Sequence, residues 1–256
     1  LYAIVYLVLF LGMSCKQTPE GSKNGLSPAA VTGAAGDSSA ARMPSGTSPM
    51  LERSSETRAA AKPWPVPLER LADTAFVRLA DYSDAFSYEM RYATENNFLK
   101  AVVYPCAECY TRVKTARALI KANAVFREKG YRIRFFDCYR PNSVQYKMWE
   151  LVPNPQYVAN PVKGSIHNRG GAVDITLETL EGEKLEMGTD FDFFGPRAHH
   201  DFTDLPPGVL ENRRILKETM ESFGFGSIRT EWWHYNLGAA TRDPVADFVW
   251  PCPDGS

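Results

Sequence analysis

From Lys16 to Lys62 the chain contains no Phe, Trp or Tyr, and Ser, Ala, Gly, Thr and Pro dominate the stretch. Such a segment cannot bury enough apolar surface to offset the entropy of ordering it, which predicts a flexible, disordered tether over residues 16–62. Apart from Tyr2, Tyr6 and Phe10, every aromatic side chain falls between Trp64 and Trp250. The folded part is therefore expected over residues 63–256, a comfortable length for one domain.

Ahead of the tether, residues 2–11 are uninterrupted apolar, and the run breaks at Gly12-Met13-Ser14-Cys15. The run is too short for a membrane-spanning helix, which needs about 20 residues. An apolar run followed by small residues reads as a secretory signal over residues 1–15. Cys15 stands where a bacterial lipoprotein carries its lipidated cysteine, and residues 11–15 form a loose lipobox in which Gly12 replaces the usual aliphatic. Plain cleavage near Ser14 is the alternative. The expectation is an exported, periplasmic protein, attached to the membrane through a lipidated Cys15. With 29 basic and 30 acidic side chains the chain has no excess charge to neutralise a phosphate backbone, so nucleic acid is excluded as a natural partner. No protein partner is evident from the sequence.

Four further cysteines remain, Cys106, Cys109, Cys138 and Cys252, and an even number in an exported domain favours disulfides. Three pairings are open. Cys106 and Cys109 have the CxxC spacing of a redox or zinc motif, but a four-cysteine zinc site would want a second close pair, and Cys138 and Cys252 lie far apart.

Within the domain, Val113, Ala116, Ile120 and Ala124 recur at helical steps, predicting a helix over Thr111 to Lys129 that stops at Gly130. A strand is expected over Tyr131 to Asp137 and a helix over Asn142 to Leu151. Residues Ala172 to Leu177 alternate as a half-buried strand, with Asp174 on the face opposite Val173, Ile175 and Leu177 and so directed into a polar cleft. Pro206-Pro207 opens another helix carrying Leu210, Leu216, Met220 and Phe223, ended by Gly224, and Ile228 to Leu237 reads as one final strand. This alternation predicts an α+β domain with a small antiparallel or mixed sheet flanked by helices.

The chemistry concentrates in two short segments. His167 precedes Asp174 across the Gly170-Gly171 hinge, and Glu231 stands three residues before His234 in Glu231-Trp232-Trp233-His234. Positions three apart on a regular strand face opposite sides, so a local bend is needed to aim Glu231 and His234 at one point. A catalytic zinc takes three protein ligands and keeps an open position, and His167, Asp174 and His234 supply such a set. Glu231 is then free as general base toward the attacking water. Each residue alone has a plainer reading as a satisfied polar side chain or a turn cap; their combination carries the inference.

Ser165, His167, Gly170, Ala172 and Asp174, together with Glu231-Trp232-Trp233-His234-Tyr235, closely resemble the zinc D-alanyl-D-alanine dipeptidases of the VanX type. The segments Arg91–Thr94 with Asn97-Phe98, Asp137–Pro141 and Met187–Phe193 agree, in the same order, so the resemblance runs from about Tyr88 to Trp250. It implies the α+β fold of cell-wall zinc peptidases and one zinc ion per chain, held by His167, Asp174 and His234, with Glu231 as catalytic base. It gives Arg140 the role of stabilising charge on the tetrahedral intermediate, against the alternative of a buried ion pair with Asp137. It places Ser165 and Tyr92 in the substrate pocket, with Tyr104 as a further contributor, and leaves His199 and His200 to loop packing. Two features depart from the cytoplasmic members. The export segment puts the substrate among released wall fragments, and Cys138 occupies a spot often filled by a small residue, which points to a disulfide.

The function expected is hydrolysis of D-Ala-D-Ala and related small D,D-dipeptides. A D,D-carboxypeptidase or other wall peptidase acting on longer stem peptides is the neighbouring alternative. A non-catalytic metal-containing binding module is a third, and the presence of both Glu231 and Arg140 argues against it.

Overall fold

The computed structural model describes residues 65–252; the expected signal segment, tether and Cys15 lie outside the described residues. The elements follow in chain order as β1 (Phe76–Arg78), β2 (Ser87–Tyr88), β3 (Tyr110–Arg112), α1 (Val113–Glu128), β4 (Tyr131–Asp137), α2 (Asn142–Leu151), β5 (Ala172–Thr179), α3 (Pro207–Ser222), β6 (Phe225–Ile228) and β7 (Glu231–Leu237). A five-stranded sheet has the order β2-β4-β5-β7-β6, antiparallel except for the parallel β2–β4 pair, and β1 and β3 form a separate antiparallel pair. The architecture is mixed α and β, with a mixed sheet and three helices, as the sequence predicts.

The sheet is two-faced. Partners in an antiparallel ladder point to the same side, and the register pairs Ile133 with Leu177, Phe135 with Ile175 and Val173 with Tyr235. These six residues are fully buried and share one core with Val113, Ala116, Leu119 and Phe126 of α1 and Leu216 and Met220 of α3. Helix α1 packs on β4, α3 on β6 and β7, and the two helices touch each other. The other face is polar: Arg132 with Glu178, Arg134 with Thr176, and Asp174 with His234.

Several expected boundaries move. Thr111 and Arg112 belong to β3 rather than to the helix, because Arg112 is extended and its amide donates to the Gly170 carbonyl at 3.1 Å. Strand β5 runs on to Thr179 and is buried on both sides instead of half-buried, since Arg132 and Arg134 lie against Glu178, and His167 and His234 against Asp174. The expected final strand is a hairpin, with β6 and β7 joined through residues 229–230. Phe223 caps α3 rather than extending it, and Gly224 turns the chain at φ +84°.

Gly170 illustrates how tightly the approach to the site is packed. It has φ +68°, and a Cβ there would lie 2.3 Å from Cε1 of Phe76. Gly130 also has positive φ, +84°, but a Cβ would meet nothing within 4 Å. Gly130→Ala is expected to cost roughly 1 kcal/mol from backbone strain alone, and Gly170→Ala about 2–4 kcal/mol because a clash is added. Urea unfolding of the two variants checks this; equal losses would place the whole cost in the backbone.

Candidate active site

Two irregularities in the sheet build the site. In β4, Phe135 pairs with Ile175 but Asp137 pairs with Asp174, so Phe136 is an extra residue that turns Asp137 onto the polar face. In β7, Tyr235 pairs with Ser227 and Glu231 with Ile228, so three residues of β7 lie between consecutive partners on β6. This is the bend that the Glu231 to His234 spacing required. Trp232 and Trp233 are both buried, edge to face with ring centroids 5.4 Å apart, while Glu231 and His234 line the same cavity.

That cavity, an open cleft of about 330 Å³, brings together Tyr92, Arg140, Ser165, His167, Asp174, Glu231 and His234. A larger groove of about 780 Å³, lined by Leu185, Met187, Val209 and others, contains none of them. His167 sits on a single helical turn, His167–Arg169, that ends at Gly170. Its Nδ1 is 2.7 Å from the Cys138 carbonyl, which fixes the proton on Nδ1 and leaves Nε2 bare. His234 Nε2 lies 3.0 Å from Asn236 Oδ1, an acceptor that can hold the ring proton when Nδ1 is given to a metal. These two inward-facing nitrogens lie 3.3 Å apart, with Asp174 oxygens 2.9 Å from His234 Nδ1 and 3.4 Å from His167 Nε2.

Three electron-pair donors thus converge on one point, all within 4.8 Å of one another, an arrangement that repels itself unless a cation stands between them. Electrostatics say the same. Burial opposes charge on Asp174, but His167 and His234 outweigh it and hold the carboxyl well below the usual range. Burial likewise opposes a proton on His234, yet Asp174 and Glu231 raise its pKa. The residues fit a divalent metal with imidazole and carboxylate preference. His199 and His200 stand apart, against Arg229, and are not among the donors.

Around the donors the polar groups are partnered. Asp137, fully buried, accepts Arg140 Nη2 at 2.6 Å and Nε at 3.2 Å on Oδ2, and the Tyr104 hydroxyl at 2.6 Å and the Cys138 amide at 2.8 Å on Oδ1. Arg140 also donates to Gln145 Oε1 at 2.9 Å and lies over the Tyr92 ring at 5.1 Å. The ion pair with Asp137 and a place on the cavity wall are therefore compatible. Burial works against the Arg140 charge, but Asp137 outweighs it and the guanidinium stays firmly protonated. Tyr104, offered from sequence as a pocket residue, instead has its hydroxyl engaged by Asp137 and does not line the cavity. Ser165 reaches the cavity while its hydroxyl donates to Asn168 Oδ1 at 3.0 Å. Glu231 has its carboxyl pKa raised, by burial first.

Asp192 is a cavity residue that the sequence did not single out. It lines the cavity beside Asp174, accepts the Tyr92 hydroxyl at 3.2 Å, and has its pKa pushed well up by burial and then by Asp174. Alternation in Asp190-Phe191-Asp192 would put both aspartates on one side. A φ of +61° at Asp192 separates them, and Asp190 instead pairs with Arg91 at 2.7 Å at the surface.

The structure joins the four cysteines as Cys106–Cys252 and Cys109–Cys138, so the CxxC pair is divided between two distant partners.

Asp137→Asn would leave Arg140 buried without its counter-charge. A loss of about 3–5 kcal/mol is expected, read by chemical denaturation, whereas breaking an exposed pair such as Arg214–Glu218 should leave stability nearly unchanged.

A family model described as D-ala-D-ala dipeptidase matches residues 72–250. The D-alanyl-D-alanine dipeptidase of Escherichia coli (strain K12) is 34% identical over 179 residues, covering 70% of this chain and 93% of that protein. The D-alanyl-D-alanine dipeptidase of Enterococcus faecalis is 32% identical over 186 residues, covering 64% of this chain and 92% of that protein. A D-alanyl-D-alanine dipeptidase of Enterococcus faecium is 30% identical over 189 residues, covering 64% and 92%.

Proposed function

Since this chain belongs to the D-Ala-D-Ala dipeptidase family of metallopeptidases, we propose that it hydrolyses D-alanyl-D-alanine and related small D,D-dipeptides with one zinc ion held by His167, Asp174 and His234. The observation that carries the reading is the convergence of two imidazole nitrogens and a carboxylate beside Glu231 and Arg140 in one small cavity. Two imidazoles and one carboxylate form a typical catalytic zinc set with a position left open. A bound zinc would supply Lewis acidity toward the scissile carbonyl and the attacking water.

The protein's own side chains account for the rest. Glu231, whose pKa is raised by burial, accepts the proton of the attacking water and returns it to the leaving amine. The Arg140 guanidinium, held in place by Asp137 and Gln145, faces the oxygen on which negative charge develops and so acts most strongly in the transition state. Asp192, a half-buried carboxylate on the cavity wall with no salt bridge of its own among the described residues, suits the ammonium of a free dipeptide, with the Tyr92 hydroxyl and the Phe98 amide fixing its orientation. Ser165 lines the same cavity as a substrate contact. The volume, about 330 Å³, is at the small end of ligand sites and suits a dipeptide.

We read the chain as exported to the periplasm and held at the membrane through Cys15. The apolar N-terminal run supports this, and so do two disulfides in a domain of ordinary size.

Purified protein is expected to cleave D-Ala-D-Ala but not L-Ala-L-Ala, to lose activity to a chelator and to regain it with zinc. Glu231→Ala should lower kcat by roughly 10²–10⁴-fold with zinc content unchanged, and Arg140→Lys, which keeps a counter-charge for Asp137 but loses the forked guanidinium, by roughly 10²–10³-fold. Preferential cleavage of an amino-blocked D-Ala-D-Ala peptide would move the assignment to a carboxypeptidase. Undiminished turnover by Glu231→Ala would remove that residue from the mechanism.

A further inference from the structure

Cys138 occupies an unusual place in the site: its main chain serves the metal donors while its side chain is a covalent anchor. The Cys138 carbonyl is the partner 2.7 Å from His167 Nδ1, and the Cys138 amide donates to Asp137 at 2.8 Å. Its sulfur is bonded to Cys109, and both cysteines are buried, at 0% and 3% exposure. Cys109 is itself held, since its carbonyl accepts the Leu79 amide at 2.9 Å, and the next residue, Tyr110, accepts the Tyr139 amide at 2.9 Å. The segment 138–140 is thereby clamped to β3, and its far end carries Arg140, whose amide donates to the His167 carbonyl at 3.2 Å.

The second disulfide differs in every one of these respects. Cys106 and Cys252 are only half-buried, neither lines the cavity, and no hydrogen bond joins either to a metal donor, Asp137 or Arg140.

We propose that the Cys109–Cys138 disulfide is a positioning element of the metal centre: it fixes the Cys138 carbonyl that sets the His167 tautomer, so that tight metal capture requires the oxidised chain. The proposal rests on the metal role assigned above to His167, Asp174 and His234. Oxidation proceeds by thiol–disulfide exchange. The two thiols give two electrons and two protons to an incoming disulfide, which leaves as two thiols while the Cys109–Cys138 bond forms. Two buried thiols need more room than the bonded pair, and in a close-packed interior the added volume displaces the clamped segment. A displaced carbonyl no longer holds the proton on Nδ1, and the Nε2 lone pair is no longer reserved for metal. Outer partners of metal-bound imidazoles typically contribute roughly 10–100-fold in affinity, which sets the size of the effect.

The test compares two full-length double variants, Cys109→Ala/Cys138→Ala and Cys106→Ala/Cys252→Ala. Zinc affinity is measured by competition with a chromophoric chelator, alongside thermal unfolding. Both variants lose stability, but only the first should lose zinc affinity, by roughly 10–100-fold, the second staying within about threefold of wild type. Equal zinc affinity in the two variants overturns the proposal. If the first variant does not fold, reciprocity supplies the same test on the wild-type chain. In a glutathione redox buffer, zinc must then make the Cys109–Cys138 bond harder to reduce, as read by thiol trapping and mass spectrometry, and leave Cys106–Cys252 unaffected. Identical reduction midpoints for Cys109–Cys138 with and without zinc overturn it. A wild-type chain that binds no zinc at all overturns the metal assignment itself, an outcome distinct from both.

Discussion

The buried carboxylate of Asp137 is the interaction on which the rest of the site depends. It accepts four hydrogen bonds, from the Arg140 guanidinium twice, the Tyr104 hydroxyl and the Cys138 amide. A charge at 0% exposure is tolerable only when its oxygens are satisfied in this way. Through Arg140 it fixes a cation on the cavity wall, and through Cys138 it fixes the carbonyl that orients His167. Remote packing is tied to the same point. Trp250, near the end of the described chain, lies edge-on to Tyr104 with ring centroids 5.2 Å apart, so the C-terminal strap buttresses the hydroxyl that Asp137 accepts.

The sheet explains why such a charged constellation can exist inside a small domain. Its apolar face supplies the core with α1 and α3, which leaves the other face free to carry polar groups in register. Along β5 that face reads Asp174, Thr176, Glu178. At one end Glu178 is neutralised by Arg132 and Arg134; at the other Asp174 meets two imidazoles. The two ends solve one problem, a buried acid, in different ways. Glu178 is saturated by permanent cations and is inert, whereas Asp174 faces groups that accept either protons or a metal. The bulges at Phe136 and within β7 interrupt the ladder where the second solution is built.

Much of this was legible in the sequence. The bounds of β4 and α2 followed from periodicity and from Pro141, and Asp174 was placed on the polar side of its strand from alternation alone. The spacing of Glu231 and His234 even demanded the distortion that β7 contains. What escaped has a common physical cause, because it depends on partners distant in sequence. Local pattern could not tell that Thr111 and Arg112 pair with β1, or that a continuous β-prone run from Ile228 divides into a hairpin. Asp192 is separated from Asp190 by a left-handed backbone conformation that side-chain alternation does not encode. Tyr104 looked like a pocket residue until Asp137 was seen to hold its hydroxyl. Which cysteines pair was open in principle, since three combinations satisfy the same count.

The division of the CxxC pair bears on the order of events during synthesis. Cys106, Cys109 and Cys138 lie within a short stretch, but the partner of Cys106 is 146 residues away at Cys252. A chain emerging from its N-terminus exposes three thiols together long before the fourth exists. The correct neighbour of Cys109 is present at that stage and the correct neighbour of Cys106 is not, so the odd thiol must stay unpaired, or be released from a wrong bond, until the last residues arrive. The arrangement makes late closure of Cys106–Cys252 a property of the topology rather than an accident of conditions.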